Sequence, residues 1–277
     1  MNAATDLQSD GLEEAKKAPG QILQAELVEA MDALTRSSLR LFLSGLSAGL
    51  DIGFSLFLVA VVQTLGQGSL SEPVLKILVG MMYSFGFILV VVGRSELFTE
   101  QTSLAILPLL SRQASFKMVI RLWGIVYVAN LIGAMLFAVL VVIIGPALGV
   151  IDVKVFGELS RSIVDHPGWV ILLSGMLAGW LMGLLSWLVY AGRDTISQIL
   201  IVFLITSVIG LGHLHHCIVG SVEVLAGVFA DPGTTLADYG HFLLWTTAGN
   251  ALGGVIFVSL LKYGHAHASQ YERKSKY

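Results

Sequence analysis

The chain has 277 residues, 55% of them hydrophobic and 13% charged, with a mean hydropathy of +0.81 and a formal net charge of −3. Soluble domains carry roughly 25% charged residues, so the composition excludes an ordinary soluble globule, and the acidic balance speaks against a nucleic-acid partner. A single cysteine, Cys217, leaves no intrachain disulfide and no cysteine-rich zinc module.

The N-terminal stretch MNAATDLQSDGLEEAKKAPG is polar and acidic. It lacks the basic start and apolar core of a signal peptide and reads as a disordered tail. QILQAELVEAMDALTRSS follows, with apolar residues near helical spacing among acids, as in a short interfacial helix. Residues 1–38 are therefore expected to be a tail with that helix, 39–264 a transmembrane domain, and 265–277 a second tail. A spanning helix needs roughly 20 apolar residues. Six segments meet that length, at 41–65, 74–92, 119–144, 168–191, 196–229 and 242–261. With the N-terminus inside, the outer side holds Lys76, Lys154 and Arg161, and most other Lys and Arg fall inside. Both ends are then expected in the cytoplasm.

Two pairs of stretches match within the chain. SGLSAGLDIG (44–53) matches SGMLAGWLMG (174–183), and ANLIGAMLF (129–137) matches GNALGGVIF (249–257). The first pair opens spans one and four; the second lies in spans three and six. Each half thus has three helices, an odd number, so the second half enters the bilayer from the opposite side. An inverted repeat of this kind belongs to transporters and channels. The GxxxGxxxG stripes at Gly45, Gly49, Gly53 and Gly175, Gly179, Gly183 are expected to bring helix backbones close together.

Both middle helices look interrupted. Span two runs into GRSELFTEQTS (93–103), and span five contains GHLHHCIVGSVEVLAG (212–227). Glu96 and His216 are separated by the same interval as Asn130 and Asn250, which suggests that the breaks correspond. Paired broken helices mark a site near the membrane midplane. Helical spacing would put His213, His216 and Cys217 on one face, which leaves a metal site open as an alternative. Asp51, Arg94, Glu96, Glu100 and Glu223 are charges in or beside the spans and are functional candidates by default. Arg94 is expected to pair with Glu96 or Glu100.

At these residues the chain resembles the formate/nitrite transporters. The carriers of the resemblance are ELFTEQTS, VYVANLIGAMLF, SWLVYAGRD, LHHCIVGS and TAGNALGGVIFVSLL, in the family's order over roughly 39–264. The resemblance implies an aquaporin-like six-helix protomer in the plasma (inner) membrane, a homopentamer, and one pore per protomer. It implies passage of small monovalent weak-acid anions, formate and nitrite among them, across the lipid bilayer. It places the central histidine at His216 and the pore threonine at Thr99, with Leu97 and Phe98 as constriction residues. Asn130 and Asn250 fall on the family's two asparagines. The chain departs from the pattern at His215, where the family has glutamate, and at Gly220, where it has asparagine. The family's vestibule lysine has no counterpart, Arg161 being the nearest cation.

A charge at the bilayer centre costs several kcal/mol, and a weak acid avoids this by taking up a proton. Histidine titrates near neutral pH, so His216 is expected to act as proton donor or polariser, with Thr99 orienting it or the solute. Two other readings stand beside this one: a metal-binding protein or metal transporter, and a neutral-solute channel. No phosphate loop or nucleophile motif suggests an enzyme, and no cofactor or resident metal is expected.

Overall fold

The computed structural model describes residues 16–265. The acidic tail before Lys16 and the cations Arg273, Lys274 and Lys276 lie outside the described residues. The fold is all-α. Helix α1 is Pro19–Thr35; α2, Ser38–Asp51, bends at Ile52 into α3, Gly53–Gly66. Helices α4, Glu72–Met82, and α5, Ser84–Val92, form the second span; α6, Phe98–Leu104, and α7, Ile106–Leu110, follow its break. Next come α8, Phe116–Ala147, the short helix α9, Val153–Val164, and α10, Gly168–Ala191. The expected fifth span is divided into two shorter helices, α11, Thr195–Leu211, and α12, Cys217–Ala230. Helix α13, Leu236–Gly253, passes into a π-helical stretch, Gly254–Leu260.

Among the described residues five helices are long and apolar enough to cross a membrane, and α11 and α12 are shorter apolar helices. Helix starts carry side-chain caps where the chain leaves the apolar zone. Ser115 accepts from the Met118 amide, Asp194 from Ser197 and Thr235 from Asp238, each satisfying a donor that the first turn leaves free. Exposed side chains such as Leu140, Ile143, Leu200, Leu204 and Leu244 suit a lipid-facing surface.

The most extensive helix contacts are α10 with α13 and α2 with α8. The glycine stripes account for their closeness. A Cβ at Gly49 would stand 2.3 Å from the Asn130 carbonyl oxygen, and one at Gly179 would stand 2.2 Å from that of Asn250. Gly179→Ala is therefore expected to reduce folded protein sharply, because overpacking against rigid backbone costs about 1–3 kcal/mol or more. The assembled fraction on size exclusion in detergent measures it.

Helix α1 buries Ile22, Leu23 and Leu27 against Leu107 and Trp187. Lys17 Nζ donates to the carbonyls of Tyr190, at 2.8 Å, and Gly192, at 3.2 Å, at the end of α10. The same face buries Glu26. Burial pushes its carboxyl up to about 8, with Glu100 adding to the rise and Lys262 opposing it. The folded state thus holds a proton that the unfolded state has lost above the ordinary value of 4.5, so stability falls as pH rises between about 4.5 and 8. Glu26→Gln should flatten this slope and raise the melting temperature above pH 8, as read from thermal unfolding across that range.

Candidate functional site

Two breaks meet at the centre of the protein, and each is held by the same set of bonds. After α5, Arg94 takes a left-handed conformation (φ 56) and the Ser95 amide donates to Val90 O. After α11, His213 does the same (φ 47) and the Leu214 amide donates to Ile209 O. The Glu96 amide donates to Ser44 Oγ at 3.0 Å, and the His215 amide to Ser174 Oγ at 3.1 Å. Asn130 Oδ1 accepts from the Phe98 amide at 2.8 Å, while its Nδ2 donates to Gly45 O and Glu96 O. Asn250 Oδ1 accepts from the Cys217 amide at 2.8 Å, while its Nδ2 donates to Gly175 O and His215 O.

These bonds correct the register read from spacing by one residue. Glu96 corresponds to His215, and His216 corresponds to Leu97. The equal intervals mislead because the first break is one residue closer to its asparagine than the second. Asn130 and Asn250 are fully buried and spend their amides on loop backbone. Neither presents a free polar group to a solute.

His216 precedes α12, and its Nδ1 accepts from the Ile218 and Val219 amides, each at 3.3 Å. The ring hydrogen of the neutral imidazole therefore sits on Nε2, which donates to Thr99 Oγ1 at 2.8 Å. Thr99 stands in the first turn of α6, so this bond joins the two broken helices. Leu97 is fully buried, and Phe98 meets the tilted ring of Tyr127 and the edge of Trp123, with centroids at 4.7 and 6.1 Å. Phe87, from α5, meets the His216 ring edge-on at 5.1 Å. Sequence reasoning missed Phe87, which lies in a uniformly apolar run. It also missed Ser44 and Ser174, although both head the repeated Ser-Gly motif.

A cavity lies on each side of the His216–Thr99 pair. The one on the α9 side, the outer one in the expected orientation, is of about 50 Å³ and is lined by Tyr83, His213, His215, His216, Gly220 and Glu223 among apolar side chains. The inner one, of about 60 Å³, is lined by Glu29, Arg94, Glu96, Glu100, Gln101 and Tyr190. The inner charges do not pair as the sequence suggested. Glu96 takes Arg36, at 2.5 Å, and Gln101, also at 2.5 Å. Glu100 accepts from Ser186. Arg94 is largely exposed, and Glu29 lies 3.9 Å away. Arg36, at the end of α1, could not be linked to Glu96 from sequence because sixty residues separate them. Asp51 accepts from Ser47 within α2, at 3.0 Å and away from both cavities.

The outer histidines are held separately. His215 Nδ1 bonds with Ser174 Oγ at 2.8 Å, and its Nε2 donates to Ile163 O at 3.0 Å. Arg161 pairs with Asp231 at the rim, so it does not supply the vestibule cation. The metal alternative also loses its basis. His213 lies in the turn before α12 rather than on the helix with Cys217, and no group of three or more His, Cys, Asp or Glu among the described residues could hold a metal.

The sequence model of the family described as formate/nitrite transporter matches residues 20–264. The inner membrane protein YfdC of Escherichia coli is 30% identical over 83% of this chain and 73% of its own. Among solved structures, an FNT family ion channel overlays with a TM-score of 0.79 at 23% identity, covering 88% of this chain and 98% of its own. A pentameric formate channel with formate bound overlays with a TM-score of 0.69 at 25% identity, covering 82% of this chain and 96% of its own.

Proposed function

The chain belongs to the formate/nitrite transporter family, and from that premise we propose a pentameric inner-membrane channel that carries small monovalent weak-acid anions, formate and nitrite among them, together with a proton. The observation that carries this reading is the buried Thr99–His216 bond between two cavities. It is the kind of polar point at which a weak acid could be held inside an otherwise apolar constriction of Leu97, Phe98 and Phe87.

Ionised formate is excluded from such a constriction by the cost of charge in an apolar medium; the protonated acid is not. His216 serves as polariser. With Nδ1 occupied by two amides, its Nε2–H points at Thr99 and leaves the threonine hydroxyl hydrogen free of the imidazole, available to a solute oxygen. The positive N-terminal end of α12 adds a fixed dipole at the same place. His215 and Glu96 hold the loops on either side, while Asn130 and Asn250 fix their backbones. The excess of Lys and Arg on one side supports a cytoplasmic location for both termini. The likeness to the pentameric formate channel supports the pentamer.

Uptake of labelled formate into proteoliposomes at outside pH of about 5.5 and 7.5 tests the reading, since the pair brackets histidine's ordinary range. Acid-stimulated uptake is expected. A folded pentamer that moves formate at neither pH would show that the fold serves a different solute.

A further inference from the structure

Glu223 is a buried carboxylate that the central pair does not use. It sits on α12 two turns beyond His216, about 10 Å further out along the axis, and lines the same outer cavity. Its side chain is 7% exposed, and no hydrogen bond or ion pair reaches it among the described residues. The wall around it is largely apolar, including Val59, Val79, Leu159 and Ile209. Gly220, one turn below, leaves no side chain between Glu223 and His216, and a Cβ there would strike Phe242 at 2.4 Å.

The other titratable groups nearby have their own work or are of another kind. Tyr83 faces the cavity from the second span. His215 has both nitrogens engaged, and His213 is exposed at the rim. On α9, which packs against α12, Lys154 pairs with Asp152, Glu158 accepts from Gln67 and Arg161 holds Asp231. Tyr127 on α8 bonds with Thr247, and Tyr239 on α13 donates to Ser221. Cys217 is buried beneath, and α3 carries no titratable group. Glu100 lies across the barrier, bonded to Ser186. Lys76 at the outer rim is held by Glu72. Among the described residues, Glu223 thus has no fixed cation.

A buried carboxyl without a cation is poorly suited to a standing negative charge and would repel an anion if it carried one. A protonated carboxyl can instead donate its hydrogen. His216 is badly placed for that service, because a second ring proton would have to displace two amide donors from Nδ1. We propose that Glu223 is the proton-loading residue of the outer vestibule, giving its carboxyl hydrogen to an entering weak-acid anion. The O–H bond of Glu223 breaks as one forms on the solute, and the neutral acid passes to Thr99. The carboxylate left behind takes a proton from outside water. This inference rests on the weak-acid reading above and identifies the donor that the central histidine does not supply.

The test compares wild type, Glu223→Gln and Glu223→Asp in proteoliposomes, with outside pH varied from about 5 to 8 at constant inside pH and assembly checked by size exclusion. Wild type should take up formate faster as the outside is acidified. Glu223→Gln, of the same shape, should lose about tenfold or more at acid pH and show a flat profile. Glu223→Asp should keep acid stimulation with a shifted midpoint. A Glu223→Gln protein with the wild-type profile overturns the proposal and leaves the weak-acid reading intact. Wild type that moves no formate overturns both. If the glutamine variant does not assemble, the aspartate variant decides: a shifted midpoint supports proton loading and an unchanged one refutes it.

Discussion

Asn250→Ala is expected to abolish transport and to destabilise the protein by several kcal/mol. The Asn250 amide serves three buried backbone groups: the Cys217 amide and the carbonyls of Gly175 and His215. Each is left unpaired by the substitution, at about 1–3 kcal/mol apiece. The break before α12 would then lose its register, and His216 would leave Thr99. Asn130→Ala should behave alike, since it frees the Phe98 amide and the carbonyls of Gly45 and Glu96. Asn250→Asp discriminates further. It can still accept from the Cys217 amide but cannot donate to either carbonyl, so it should be nearly as damaging. Thermal unfolding followed by tryptophan fluorescence, together with formate uptake, reads both effects. An unchanged melting temperature in Asn250→Ala would mean that the break is held by other contacts.

The outcome bears on what a sequence reveals. The apolar runs were legible because hydrocarbon demands them: five of the six recur among the described residues as helices long enough to span, with ends shifted by up to six residues, while the expected 196–229 is split into Thr195–Leu211 and Cys217–Ala230. The breaks were legible because polar residues such as Glu96 and His216 interrupt those runs. The repeat pointed to Asn130, Asn250 and the glycine stripes, and the structure gives them a common purpose: Gly49 and Gly179 let a carbonyl of the neighbouring helix approach, and the asparagines then reach the loops. The one-residue slip between Glu96 and His216 was not legible, because interval counting ignores where each turn begins. The hydrogen bonds to Ser44 and Ser174, and those of the two asparagines to the Phe98 and Cys217 amides, establish it. The pairing of charges was least legible. Arg94 and Glu96 are neighbours in sequence, yet the left-handed turn at Arg94 sends its side chain outward, and Arg36 arrives from α1 in its place.

His216→Ala and Thr99→Val are each expected to lower formate flux by about 10²-fold while leaving the assembly intact. Loss of one preorganised donor in a water-excluded site is of the order of 3 kcal/mol, and a polar point between two apolar constrictions is such a site. The two substitutions should not multiply. His216 polarises the solute through Thr99, so removing either breaks the same chain of donors, and the double variant should be little worse than the worse single one. Thr99→Ser, which keeps the hydroxyl, should retain most of the flux. Independent effects, with the double variant slower by the product of both, would mean that histidine and threonine contact the solute separately. A further contrast follows from the ring's orientation. Because Nδ1 accepts amide hydrogens and Nε2 carries the donor, His216→Gln can restore a donor toward Thr99 only if its amide nitrogen reaches the Nε2 position. Partial rescue by glutamine, without recovery of any lost pH dependence, would separate polarisation at the centre from proton loading at Glu223.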